Sequence, residues 1–158
     1  MKRIVLFSFL FLIFFMSQAI FADSIDGYKM QASQFLDEHR NNFEKISKTI
    51  WSYAELGFQE YKSSALLVKE LEKNGFKVEK AVSGIPTAFI ATWGAGSPVI
   101  GVTGEFDALP GLSQKAGLTA KMPIIEGAPG HGCGHNILGT TGLATALTLK
   151  DVMQKNNI

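Results

Sequence analysis

Pro98-Val99-Ile100-Gly101-Val102-Thr103-Gly104-Glu105-Phe106-Asp107-Ala108-Leu109-Pro110-Gly111 is the stretch whose reading decides the fold. Pro98–Thr103 is apolar on both faces, with no polar alternation, which is the pattern of a central strand covered on each side. The strand runs straight into two acids and a Pro-Gly turn. Ligands of open α/β sheets bind outside the carboxyl ends of strands, so Glu105 and Asp107 stand where a site is expected. They alternate along the chain, which turns one toward such a site and the other elsewhere. Taken alone, the same residues also read as a solvated turn closed by Pro110-Gly111.

Working outward, Thr87–Trp93 reads as a second strand, ended by Gly94-Ala95-Gly96, and Phe76–Lys80 alternates as a half-exposed strand does. Before them, Ser63–Lys73 predicts a helix with Leu67, Val68 and Leu71 inward. Asn74-Gly75 is its stop, because glycine accepts the left-handed conformation there. Earlier still, Ala32, Phe35, Leu36, Phe43, Ile46, Ile50 and Tyr53 recur at three- and four-residue steps, the mark of a helix with one buried face. His39 falls near that stripe and reads as a surface or half-buried histidine. Downstream, residues 109–134 are rich in Gly and Pro and lack periodicity. So long a loop inside a domain is functional or disordered. Ile137–Gln154 predicts a last helix, with Asn136 as its cap. The order is two helices, three strands, a long loop and a helix, an α/β layered arrangement.

The chain has 158 residues, 46% apolar and 18% charged, which allows one domain and excludes a disordered or collagen-like chain. Its formal charge is +1. Without Lys2 and Arg3, the only charged residues of the first 22, there remain 13 basic against 14 acidic residues. A near-neutral chain has no electrostatic case for nucleic acid or an anionic membrane surface. One cysteine excludes an internal disulfide.

Lys2-Arg3, the apolar run Ile4–Phe15, and the small residues of Ser17-Gln18-Ala19 and Ile20-Phe21-Ala22 follow the three-part plan of a secretory signal peptide. The run is shorter than the roughly 18–20 residues a spanning helix prefers. An uncleaved anchor is the competing reading. The expected division is a signal peptide over 1–22 and a working domain over 23–158, exported to a periplasm or secreted. The membrane is then met only through the export signal.

Gly130-His131-Gly132-Cys133-Gly134-His135-Asn136 carries three potential metal ligands at alternate positions. Thiolate and imidazole suit a zinc-like ion, and glycines let backbone approach it closely. A following helix start favours thiolate. Three plainer readings compete. Cys133 reads also as a small buried hydrophobe. The glycines read as turn geometry, and His131 as a partner of nearby backbone. Acids at the strand end and Cys/His before a helix together make the parts of a metal centre, in which a carboxylate commonly orients a ligating histidine.

These motifs, GEFDALPGLSQ and EGAPGHGCGHN, resemble the amidohydrolase branch of the metallopeptidases that include aminoacylase and glutamate carboxypeptidase. Within it they look like the p-aminobenzoyl-glutamate hydrolase group, in its B-type chains. Ala54–Glu60, AELGFQE, matches a third family motif, usually written with proline where this chain has Ala54. The resemblance covers about residues 28–153.

The resemblance implies the amino-terminal part of a zinc-peptidase-like layered α/β catalytic domain, truncated and without the smaller dimerisation (lid) domain. It implies that Cys133 and His135 bind metal and that Asp107 is in the active site. Glu105 stands where dinuclear relatives have a ligand histidine, and Asn136 where many members have aspartate. The implied cofactor is a divalent metal, zinc or manganese, two per complete site. The implied reaction is hydrolysis of the amide bond of a small N-acyl or N-aroyl amino acid of the p-aminobenzoyl-glutamate kind. The implied whole protein is a homo- or hetero-oligomer. The acidic pair that holds the family's proton-shuttling glutamate is not found, since Asp151 is the only acid after Asn136 and no His follows His135. The 158-residue chain alone is therefore expected to be inactive. Two other classes compete. One is a thiol hydrolase with Cys133 as nucleophile and His135 as base, a poor geometry without a third orienting group. The other is a non-catalytic metal-binding or interaction fragment.

Overall fold

The computed structural model describes the backbone of residues 2–158 and the side chains of residues 25–158. The export segment expected over residues 1–22 lies outside the residues described with side chains. Among the described residues no helix is long and apolar enough to cross a membrane.

Among the described residues, three helices and a small sheet make up the fold, a mixture of the α/β kind. Helix α1 is Lys2–Tyr53, α2 is Tyr61–Lys73 and α3 is His135–Asn156. Strands β1 (Lys77–Lys80) and β2 (Phe89–Thr92) pair antiparallel, with Lys77 opposite Thr92 and Lys80 opposite Phe89. A one-turn 3₁₀ segment, Val82–Gly84, stands between them.

The helical stripe expected on α1 is buried in its later half. Phe43, Ile46 and Ile50 join Leu67 and Leu71 of α2 and Leu143, Ala144 and Leu147 of α3 in one core. Leu36, earlier on the stripe, stays exposed. Ile50 is 0% exposed, and burying such a side chain contributes about 1.5–3 kcal/mol. Helix α2 stops as its sequence demands. Gly75 takes φ +79°, and the amides of Gly75 and Phe76 donate to the carbonyls of Glu72 and Leu71, which closes the helix end. Phe76, Val78, Phe89 and Ala91 lay the small sheet on the helices. His39 is exposed, its Nδ1–H donating to the Phe35 carbonyl at 2.8 Å while its ring stacks on Phe35.

Two expectations are corrected. Pro98–Thr103 is not a central strand. It is an unpaired segment, with Val99 87% exposed and Ile100 and Val102 exposed beside it. A strand needs neighbours that complete its backbone hydrogen bonds, and among the described residues no strand lies alongside it. The second correction concerns Asn136. The residue before α3 is Gly134, at φ +76°, and Asn136 is a buried residue inside the helix. Its side-chain amide donates to Ser47 Oγ at 3.1 Å, tying α3 to α1. The start of α3 therefore falls at His135 rather than after it.

Candidate metal centre

Two separate stretches of chain bring the site together. The tip after Pro98–Thr103 supplies Glu105 and Asp107, and the first residue of α3 supplies His135. Leu109 and Gly130 form a two-residue antiparallel bridge, each amide donating to the other's carbonyl at 3.0 Å. The bridge closes the long loop at its neck and carries 131–135 to the side of 107–108. Glycine is required at that neck, because a Cβ on Gly130 would overlap the Leu112 carbonyl. On α3, a Cβ on Gly139 would come within 2.8 Å of the Phe106 side chain. The absence of that Cβ lets the helix lie directly against the acidic tip.

Within the site His135 stands between the two acids. Its Nδ1–H donates to Asp107 Oδ1 at 2.8 Å, and its Nε2 lies 3.1 Å from Glu105 Oε2. The imidazole is 19% exposed and the Glu105 side chain 71%, so the group opens to solvent on the Glu105 side. One ligand atom from each of Glu105, Asp107 and His135 lies within 4.8 Å of the others. The amino end of α3 adds partial positive charge that favours the nearby carboxylates.

The donor set fits a divalent cation. The Glu105 carboxylate and Nε2 of His135 supply the kinds of oxygen and nitrogen donor that zinc and manganese take. Donors about 2.0–2.1 Å from one tetrahedral ion stand roughly 3.3 Å apart, and Nε2 and Oε2 stand at 3.1 Å. Asp107, on the far nitrogen, fixes the ring's tautomer and orientation, as a carboxylate does behind a ligating histidine.

Cys133 lies outside this group, with an exposed side chain. His131 turns to the interior: its Nε2–H donates to the Ile50 carbonyl at 3.2 Å, and its Nδ1 is buried without a partner. Burial pushes the His131 pKa below the ordinary histidine value, the Ile50 hydrogen bond opposing and nearby His135 adding to the shift. Sequence reasoning missed what Glu55 does. Its carboxylate accepts the amides of Lys62 and Ser63 and the Ser63 hydroxyl, and its carbonyl accepts the Ala108 amide at 2.7 Å. The only sequence signal was the AELGFQE motif itself, which says nothing of partners.

No family model matches the chain. Curated relatives do. The chain is 42% identical over 120 residues to the B-type chain of the p-aminobenzoyl-glutamate hydrolase of Escherichia coli, covering 76% of this chain and 25% of that protein. It is 29% identical to the Xaa-Arg dipeptidase of Mus musculus, over 84% of this chain and 29% of that one. It is 33% identical to an IAA-amino acid hydrolase of Arabidopsis thaliana, over 67% and 22%. The chain thus spans between about a fifth and a third of the length of these relatives. Over that span, the chain belongs to the group of metal-dependent amidohydrolases and peptidases.

Proposed function

We propose that this chain carries a divalent-cation site of a metal-dependent hydrolase acting on amide bonds of N-acyl or N-aroyl amino acids. Exported, periplasmic or secreted placement belongs to the same proposal. The observation that carries it is the convergence of Glu105, Asp107 and His135, joined to the relatives' names. One of these is a hydrolase of p-aminobenzoyl-glutamate, another of IAA-amino acids.

A bound zinc or manganese ion supplies Lewis acidity, lowering the pKa of water and polarising a carbonyl. The chain's own residues hold and orient. Asp107 keeps the proton on Nδ1 of His135, which leaves Nε2 as a lone pair aimed toward Glu105. Glu105, on the open side, adds the charge that a cation needs. The missing Cβ of Gly139 lets the helix start lie against Phe106, beside which Glu105 and Asp107 meet His135.

Calorimetric titration with Zn²⁺ and with Mn²⁺ tests the reading. Saturable binding near one ion per chain is expected, with at least about a tenfold loss in His135→Ala. Saturation with p-aminobenzoyl-glutamate should raise the melting temperature further when the ion is present. Absence of binding for both ions, or binding unchanged in His135→Ala, refutes the site. Cys133→Ser then decides the ligand count. A comparable loss adds the thiolate to the site, and an unchanged affinity leaves the three-residue group alone.

A further inference from the structure

We infer that Glu55 is a positioning residue for the Asp107–His135 pair, a role that rests on reading those residues as the site. The segment Ala54–Glu60 crosses from the end of α1 to the start of α2, and it is held in an unusual shape. Ala54 and Phe58 both have positive φ, 46° and 63°, a region that side-chain-bearing residues rarely occupy. Such backbone persists only where its surroundings over-determine it. Glu55 supplies that determination in two directions at once.

Its side chain faces α2. The amide of Lys62 donates to Oε1 at 2.9 Å, and the amide and hydroxyl of Ser63 donate to Oε2 at 2.9 and 2.8 Å. These amides belong to the first turn of α2, where helix N–H groups have no partner inside the helix. Glu60, the residue before the helix, makes no side-chain cap. Its carboxylate is engaged elsewhere, accepting from the Thr87 hydroxyl at 2.6 Å. A carboxylate from five residues earlier in the chain therefore does the capping, with its charge at the helix's positive end. Ser63 is fully buried, so its part of this anchor is shielded from water, while the Lys62 bond lies at the surface.

Its backbone faces the site. The Glu55 carbonyl accepts the Ala108 amide at 2.7 Å, and Leu56 and Ala108 form a parallel bridge. Ala108 follows Asp107 directly. Gly57, two residues from Glu55, stands so close that a Cβ there would lie 4.0 Å from Asp107 Oδ2. The chain of contacts runs from the α2 amino end through the Glu55 side chain and carbonyl to Ala108, and so to the carboxylate that holds His135. Glu55 touches no reacting atom. It fixes where Asp107 sits.

The test uses the whole 158-residue chain and two readouts. The first, in ion-free protein, is the NMR resonance of the His135 Nδ1 proton that Asp107 accepts. The second is Co²⁺ affinity from the visible absorption band. Ser64→Ala is the control, since it removes a bond between α2 and the Thr87 carbonyl without touching Glu55 or Ala108. Glu55→Ala should move or erase the proton resonance and weaken Co²⁺ by about tenfold or more. Ser64→Ala should change neither, even where both variants melt earlier. Glu55→Gln, which keeps one acceptor oxygen, should fall between wild type and Glu55→Ala, and it alone decides the matter if Glu55→Ala does not fold. An unmoved resonance and unchanged Co²⁺ affinity in the folded Glu55 variants would overturn the inference. If wild type binds no Co²⁺, the metal reading fails separately, and the proton resonance still decides the role of Glu55.

Discussion

The helical core and the site neck are built by different means. In the core, side chains of α1, α2 and α3 interlock, and Ile50, Leu67 and Ser63 are almost wholly out of water. In the neck, from Pro98 to His135, backbone provides the hold: one Leu109–Gly130 bridge, a carbonyl from Glu55, and glycines that admit close approach. The neck also leaves Val99, Ile100, Ile124 and Ile125 exposed. The lesson is a division of labour. Apolar burial holds the scaffold, whereas a few hydrogen bonds hold Glu105, Asp107 and His135 together, so damage to one region is expected to spare the other.

The sharpest way to break the contrast is a core deletion. Ile50→Ala should cost about 2–5 kcal/mol in denaturant unfolding, as buried large-to-small changes do. It should weaken the site only in proportion to lost folded protein. A result in which ion affinity falls while stability holds would merge the two regions.

Saturating ion comes next in size. At one hundred times its dissociation constant, Zn²⁺ or Mn²⁺ should stabilise the fold by about 2.7 kcal/mol, read as a higher melting temperature that a chelator reverses. Asp107→Ala should remove most of this gain and leave the far-ultraviolet circular dichroism of the helices intact.

Gly130→Ala addresses the neck alone. Overlap with the Leu112 carbonyl should open the Leu109–Gly130 bridge and weaken ion binding by about tenfold or more. The α1–α2–α3 core should keep its helical signal. Loss of all cooperative unfolding would show that the neck supports the core after all.

His131 sits on the seam between the regions and has a smaller effect. Its pKa is lowered in the fold, so the folded state prefers the neutral ring. Its contribution is complete above the ordinary histidine value of about 6.5 and is lost as pH falls from there through the lowered folded value. His131→Gln should therefore flatten the stability profile below about pH 6.5 relative to wild type. An identical profile in both would remove His131 from the account. Smallest of all, Lys48→Ala breaks an exposed ion pair with Glu44 and should change stability by less than about 0.5 kcal/mol.

Much of the scaffold was legible in the residues. Periodicity located the later half of α1 and most of α2 and α3, because amphipathic helices write their buried face into local spacing. Asn74-Gly75 marked a real stop for the same local reason. The failure at Pro98–Thr103 is instructive. A continuous apolar run says that both faces want cover, but pairing needs a partner strand elsewhere, which spacing cannot report. Asn136 failed differently: its capping chemistry was plausible locally, yet it lies inside the helix, with its side-chain amide spent on a tertiary bond to Ser47.

By itself, the sequence determined which residue types are available for chemistry: two acids at a chain tip, and a glycine-flanked Cys and His before a helix. It also determined kinship, since whole motifs survive as strings. Only the tertiary structure decided which of those residues meet. Glu105 and Asp107 converge on His135, while Cys133 stands apart. Positions 107 and 135 are 28 residues apart in the chain. Their approach depends on a backbone bridge at Gly130, on the missing Cβ of Gly139 and on the hold of Glu55 upon Ala108. Those are contacts between segments distant in the chain, and no local pattern of side chains encodes them.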